Sequence, residues 1–408
     1  MTQYFPPEMG APQARLYELA TRLQARGHEI TIVTAMPNYP TGKVFSGYRW
    51  RVFCIEALDG MKVIRTPIYP SRSRNLLVRL ASYTSFTLSS LVMGSWSVGT
   101  QDLLIVESPP LFLGPSGVVM SRLTHSRMIL MVSDIWPDVA VRMGNIIGKR
   151  QAKLLERLEA FLYRHSACVA LTNPGAVEQV RSRFPDVPCA VISNGVDTTF
   201  FRPELRSDAI RQEFGIAPDH FAVGYCGLHG FFQGLEVVID AAKRLREEPR
   251  VRFVFVGDGP TKESLVSQAR HAGLRNIVFH PRQPKSRMPH ILASMDASLI
   301  PLAASLPGTM PSKVYEALAA GAPVIVTAGC EAEHLVRRYN VGRLFRSANA
   351  EELANAILEL ASDRSLCATM RTNSIALAQR FDRAVIVDRT ERILEAVATR
   401  SSIPQVEW

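Results

Sequence analysis

Ala297-Ser-Leu-Ile-Pro301, Ser312-Lys-Val-Tyr-Glu-Ala-Leu-Ala-Ala320 and Pro323-Val-Ile-Val-Thr327 read as a strand, a helix and a second strand. Both strand segments are short apolar runs without polar alternation, the pattern of strands buried on two faces. Strands of that kind pair in parallel, and a parallel pair needs a long crossover, which the helix supplies.

The same alternation continues outward. Upstream, Phe221–Tyr225, Val251–Val256 and Ile277–Phe279 read as strands, and Leu235, Val238, Ile239, Ala242 and Leu245 share one helix face. Downstream, Leu353, Ile357 and Leu360 mark another helix, and a last helix is expected near 383–398. The first half repeats the pattern. Leu16, Leu19, Ala20 and Leu23 form a helix face that stops at Gly27. Strands follow at His28–Thr34, Asp102–Val106, Arg127–Val132, Ala167–Leu171 and Ala190–Ser193, with a charged helix over 149–165. Residues 197–220, with Pro203 and Pro218, keep no period and read as a linker plus a short helix. The expected architecture is α/β, with two facing Rossmann-like, doubly wound parallel-sheet domains and a cleft between them. The expected boundaries are 1–203 for the first domain and 204–382 for the second. Residues 383–408 would be a helix packing back toward the first domain, plus a tail. Residues Met1–Gly10 leave almost no strand before the first loop, so that strand is very short or the protein begins upstream of Met1; the second is expected.

Composition narrows the classes. In 408 residues, 47% are hydrophobic and 21% charged, which suits packed domains and excludes wholesale disorder. Six scattered cysteines, with no C-x-x-C spacing and no histidine cluster, argue against a zinc site or a disulfide framework. The formal charge of +10 suits an anionic substrate, a membrane surface or nucleic acid, but no aromatic-basic recognition motif supports the last. Between Lys43 and Arg79 eight basic residues (Lys43, Arg49, Arg51, Lys62, Arg65, Arg72, Arg74, Arg79) face two acids, Glu56 and Asp59, a surplus suited to anionic headgroups. The uncharged run Leu80–Gln101 is 22 residues long but holds nine Ser or Thr. It reads as a helix half-sunk in a membrane interface or as an ordinary buried helix, rather than a span.

The loop Gly308-Thr-Met-Pro-Ser312 enters the helix that begins at Lys313. Helix N-termini present unpaired N–H groups, which suits a diphosphate, and Lys313 would add charge there. Glu316, one turn on, would accept hydrogen bonds from a ribose diol; alternatively Lys313 and Glu316 are a surface i, i+3 pair. Asp134, in Ser133-Asp-Ile-Trp-Pro-Asp138, follows a strand and is either a reacting carboxylate or a helix cap. Gly10, in the first loop, lets backbone approach a phosphate or sugar. Arg282, in Pro281-Arg-Gln-Pro-Lys285, reads on the residues alone as a solvated turn charge.

Further segments complete the pattern: Tyr4-Phe-Pro-Pro-Glu-Met-Gly-Ala11, Arg26-Gly-His-Glu-Ile-Thr-Ile-Val-Thr34, Pro37-Asn-Tyr-Pro-Thr-Gly42, Ser193-Asn-Gly-Val-Asp197, Gly257-Asp-Gly-Pro260 and Gly321-Ala-Pro-Val-Ile325. Their order along the chain resembles the retaining family-4 glycosyltransferases of GT-B fold. The likeness is to a bacterial subgroup of O-antigen, capsule and exopolysaccharide assembly that includes fucosamine-type amino-sugar transferases. The resemblance implies that Glu316 is the second Glu of an E-x7-E motif and binds the donor ribose. The first Glu would stand at position 308, which is glycine. The family's Arg and Lys after the first strand of the second domain are also absent. The loop reads Gly227-Leu-His-Gly-Phe-Phe-Gln-Gly-Leu235, so Gly227, His229 and Gln233 stand there, and Lys313 is expected to supply the charge. Thr309, Met310 and Ser312 complete the expected donor site; the resemblance also implies that the 281–285 loop passes the nucleotide base, with Arg282 near the phosphates, and that Asp134 falls near the acceptor hydroxyl or donor sugar.

The expected reaction moves a sugar from a nucleotide-diphosphate donor, a UDP-sugar, to a hydroxyl of a glycan or polyprenyl-diphosphate-linked acceptor. Retaining enzymes of this fold use front-face attack, with the leaving phosphate taking the acceptor's proton. No Asp-x-Asp motif is present, so a metal-independent enzyme without cofactor is expected. The expected place is the cytoplasm, peripheral on the inner face of the membrane. A GT-B-fold epimerase or phosphorylase, and a catalytically weak sugar-nucleotide-binding protein, are the alternatives.

Overall fold

A computed structural model describes residues 1–8, 10–71, 73, 76–136 and 148–404. The described residues form two compact units, one within 1–192 together with 387–404, the other over 193–386.

In the first unit, β1 (Thr31–Ala35), β2 (Cys54–Leu58) and β3 (Met61–Thr66) make one sheet in the order β1-β3-β2. The strands β1 and β3 are parallel, with Val33 opposite Ile64. The antiparallel β2–β3 hairpin turns at Asp59-Gly60, whose φ values of 49° and 82° are those a two-residue hairpin loop demands. A second, parallel sheet runs β4 (Leu103–Ser108), β5 (Arg127–Val132), β6 (Cys168–Leu171) and β7 (Cys189–Val191). The first residues of the chain lie between the two sheets. The Thr2 N–H donates to Val33 O and the Glu107 N–H to Met1 O, both at 3.0 Å. One core joins Leu23 of the helix Ala11–Gln24, Ile129 and Met131 of β5, and Ile393, Leu394 and Val397 of the helix Arg383–Thr399.

The second unit is a single parallel sheet of β8 (Phe221–Cys226), β9 (Val251–Val256), β10 (Ile277–His280), β11 (Ala297–Ile300), β12 (Val324–Thr327) and β13 (Gly342–Phe345). Its order is β10-β9-β8-β11-β12-β13. Counted from β8, that is the 3-2-1-4-5-6 order of a doubly wound sheet. The run Val-Arg-Phe-Val-Phe-Val of β9 buries Phe253 and Phe255 completely, each contributing about 2–3 kcal/mol.

The compact units divide at 192/193 and 386/387, and the expected domain boundaries are 203/204 and 382/383. The division of the units follows local packing. The Val196 N–H donates to Phe381 O and the Arg383 N–H to Val196 O, so 193–203 and 382–386 hold one another within the second unit.

Past the ends of β8 and β9 the chains stay close. The Gly227 N–H donates to Val256 O at 2.8 Å and the His229 N–H to Asp258 O at 2.9 Å. Gly257 has φ 147°, and a Cβ on it would lie 1.9 Å from Gly227 O. Backbone cannot yield as a side-chain tip can. Gly257→Ala is therefore expected to destabilise the second unit by more than about 3 kcal/mol, read as a lowered urea midpoint.

Candidate functional site

The strand order of the second unit reverses between β8 and β11, and ligands of open α/β sheets bind beyond the strand ends at such a reversal. The loop 227–235 leaves β8 there, and the segment 301–312 leaves β11 and enters the helix Lys313–Ala319. The two segments meet at Lys313. Its Nζ donates to Tyr225 Oη at 2.7 Å and lies 4.0 Å from the centre of the Tyr225 ring. A Cβ on Gly227 would fall 2.6 Å from that Nζ, so glycine makes room for the ammonium. Burial pushes the Lys313 ammonium down to about 8, against the opposing pull of Cys226 and Glu316.

Glu316 follows one turn along the helix. Burial raises its pKa, and Lys313, Arg383 and Lys285 pull it down. Three cations therefore bear on this carboxylate, so the pair is no isolated surface i, i+3 contact. In the loop before the helix, two backbone donors have partners within the protein. The Gly308 N–H donates to Glu331 Oε1 at 3.1 Å, and the Thr309 N–H to Leu306 O at 3.1 Å. These two donors are already used within the protein. Glu331, at the head of the helix Ala332–Tyr339, holds the loop: its own N–H also donates to Thr309 O. Met310 is buried and Ser312 is exposed.

His229 lies inside the unit rather than on its surface. It is fully buried, its ring 5.6 Å from Tyr225 and 5.7 Å from Phe255, and both ring nitrogens lack a hydrogen-bond partner among the described residues. Burial, with Lys262 and Lys313, drives its pKa down to about 4. It is neutral at pH 7 and carries no charge for a phosphate. Gln233 Oε1 is likewise buried without a partner among the described residues. Arg282 is exposed on the loop after β10.

The first unit gathers a different group at the ends of β4 and β5. Arg15, from the helix Ala11–Gln24, pairs with the buried Glu107, and its Nη2 donates to Ser133 Oγ at 2.9 Å. Ser133 Oγ in turn donates to Glu107 Oε1 at 3.1 Å. Burial raises the Glu107 pKa against the pull of Arg15 and Ser133. Asp134 is the next residue. Solvent reaches it, yet the surrounding protein raises its pKa, and Arg15 opposes that shift. The helix expected after Asp134 would fall on 137–147, outside the described residues. Gly10 precedes the first helix with φ −179°, extended backbone open to any residue, so no left-handed turn demands glycine there. A Cβ would meet only the flexible end of Gln13.

Sequence reasoning missed Arg15 and Tyr225. Arg15 sits at a helical position beside apolar ones, and Tyr225 is the last residue but one of the buried strand β8; only the sheet order brings each to its partner.

The basic surplus of 43–79 is smaller at the surface than in the sequence. Arg65 is fully buried, donating from Nε to Glu56 Oε1 at 2.6 Å. Lys62 Nζ donates to Ser97 O at 2.6 Å. Arg72 and Arg74 lie outside the described residues. Lys43, Arg49, Arg51 and Arg79 are exposed. The run 80–101 forms helical turns in which Phe86, Ser90 and Gly94 face inward, while Leu88, Val92 and Trp96 point out, Trp96 at 90% exposure. It is thus partly buried and partly exposed. Among the described residues, no helix is long and apolar enough to cross a membrane.

Residues 10–195 match the glycosyl transferase 4-like domain, and residues 206–376 match the glycosyl transferases of group 1. Together with the two Rossmann-like units, these matches make the chain a GT-B glycosyltransferase of the group 1 and 4-like families. It is 28% identical over 344 residues to WcaI of Escherichia coli (strain K12), a glycosyl transferase assigned to colanic acid biosynthesis, covering 79% of this chain and 81% of that one. The fold is similar to that of sucrose-phosphate synthase from Thermosynechococcus elongatus, with a TM-score of 0.74 at 17% identity over 96% of this chain and 94% of the other. It is also similar to Anabaena HepE in complex with UDP and glucose, with a TM-score of 0.68 at 20% identity over 97% of this chain and 100% of that chain.

Proposed function

We propose that this glycosyltransferase is a retaining enzyme that moves a sugar from a UDP-sugar to a glycan acceptor carried on a lipid diphosphate, in surface polysaccharide synthesis. The observation that carries the reading is Lys313 at the β8/β11 reversal, one helical turn from Glu316. The ammonium suits the diphosphate and the carboxylate suits the ribose diol. The similarity to WcaI supports polysaccharide synthesis, and the fold shared with HepE, whose complex holds UDP, supports the donor. In this mechanism Lys313 stabilises the charge that develops on the leaving diphosphate, the largest expected catalytic contribution. The leaving phosphate takes the acceptor's proton, so no protein nucleophile is required. Asp134 orients the acceptor hydroxyl, and the enzyme works without a metal.

Calorimetric titration with UDP, GDP and ADP, in the presence of EDTA, tests the reading. Wild-type protein is expected to bind UDP selectively, and Glu316→Ala to lose roughly tenfold or more in affinity. Binding that needs added magnesium would remove metal independence. Absence of nucleotide binding by folded protein would favour a role other than transfer. Steady isomerisation of a sugar nucleotide without acceptor would identify an epimerase.

The acceptor side is read as peripheral to the inner face of the cytoplasmic membrane. Leu88, Val92 and Trp96 form an exposed apolar stripe, and Arg79 is exposed on the same helical segment. In flotation, the protein is expected to rise with anionic vesicles at low salt and to stay down with zwitterionic ones. Trp96→Ser should reduce the floated fraction several-fold; equal flotation of variant and wild type would remove this surface from the contact.

A further inference from the structure

We infer that Tyr225 is a positioning residue for the reaction: its phenol oxygen and ring face hold the Lys313 ammonium over Gly227, at the end of β8. The inference rests on the reading of this place as the donor site.

A lysine side chain is long and flexible, and ordering it costs rotamer entropy. Here three constraints act on one ammonium. The Nζ–Oη hydrogen bond of 2.7 Å fixes its distance from the phenol, and the ring centre lies 4.0 Å away. Gly227 leaves the space that any Cβ would fill. The anchor is itself locked. Tyr225 is 1% exposed, and its Oη donates to Leu228 O at 2.5 Å. The single phenol proton is thus committed to a carbonyl, and the oxygen's lone pairs are left for Lys313. Of the three ammonium hydrogens, two remain for a ligand among the described residues. Tyr225 and Lys313 are 88 residues apart, so sequence spacing conveys nothing of the pairing.

The other groups bearing on the ammonium are Cys226 at the end of β8, Glu316 on its own helix and His229 on the loop after β8. Lys262 and Asp258 face His229, and Lys285 and Arg383 face Glu316. Lys313, held near the top of the physiological range by burial, gives the test a titration to follow.

The experiment is UDP titration calorimetry between about pH 6 and 9.5, on wild type, Tyr225→Phe, Lys313→Met, the double variant and Lys313→Arg. Tyr225→Phe keeps the ring and removes only the acceptor oxygen. It is expected to weaken UDP binding about tenfold at neutral pH. It should also move the pH at which binding is lost below the wild-type value, because the charged amine has lost a hydrogen bond. On the Lys313→Met background, Tyr225→Phe should add nothing. Lys313→Arg keeps charge but cannot place it on Oη beside Gly227, and should stay below wild-type affinity; this variant carries the test if Tyr225→Phe loses stability. Unchanged affinity and midpoint in Tyr225→Phe, an equal loss on the Lys313→Met background, or full binding by Lys313→Arg would each overturn the positioning role. Wild-type affinity in Lys313→Met would instead overturn the donor-site reading on which it rests.

Discussion

Lys313→Met is expected to cut transfer from a UDP-sugar by at least about 100-fold, the scale seen when a prepared charge-stabilising group is removed. The loss should fall on kcat as well as KM, since the diphosphate gains charge as the glycosidic bond breaks and the ammonium meets more charge in the transition state than in the ground state. The same variant is expected to melt no lower than wild type, and somewhat higher at neutral pH. The folded protein holds the Lys313 pKa at about 8, below its value of 10.5 in the unfolded chain. Between those values the unfolded state binds more protons, so the contribution of Lys313 to stability is fullest above the unfolded value and is lost as pH falls through about 8. At pH 7 the buried ammonium therefore costs stability, and methionine removes the cost while filling similar volume. A variant that is inactive and equally or more heat-stable would separate function from folding. A variant that is active would sink the assigned role. In wild type, donor binding should fall as pH rises through about 8, where the ammonium deprotonates.

The parallel sheets were legible because apolar runs and helical faces alternate with little ambiguity: β5 was read over the residues it occupies, and β9 likewise. The hairpin of β2 and β3 was missed although Asp59-Gly60 is a strong turn signal, because one strand, Cys54–Leu58, alternates exposed and buried while its neighbour is almost wholly buried. Lys313 and Glu316 could be found because they share a helix turn. The constraints on them could not, since Tyr225 and Gly227 reach Lys313 only through the β8–β11 pairing. His229 shows a different limit. A histidine in a glycine-rich loop reads as a hydrogen-bonding group with little fixed charge, but its burial is not visible in the sequence: backbone pairing to Asp258 turns the residue inward, where burial lowers its pKa. At position 308 the missing carboxylate is visible in the sequence, whereas the hold of Glu331 on that loop is not.

Arg15→Met is expected to destabilise the first unit by about 3–5 kcal/mol near neutral pH, the usual cost of leaving one partner of a buried ion pair alone. Glu107 is 4% exposed and its pKa is already raised by burial, with Arg15 the largest opposing influence. Without Arg15 the carboxyl rises further. A raised folded-state pKa gives stability that is present below the unfolded value and is lost as pH rises through the folded one. The Arg15→Met protein should therefore come nearest to wild-type stability at acid pH and weaken as pH rises, which urea unfolding at several pH values would show. Adding Glu107→Gln removes the titrating group and should flatten that dependence. If the double variant kept the slope, Glu107 would not be its source. The consequence reaches the proposed acceptor side as well. Ser133 receives its hydrogen bond from Arg15 and precedes Asp134, so Arg15→Met should also slow transfer at pH values where the unit stays folded. Glu107→Gln alone keeps the size of the side chain and an oxygen facing Arg15, and is expected to lose far less of both stability and rate.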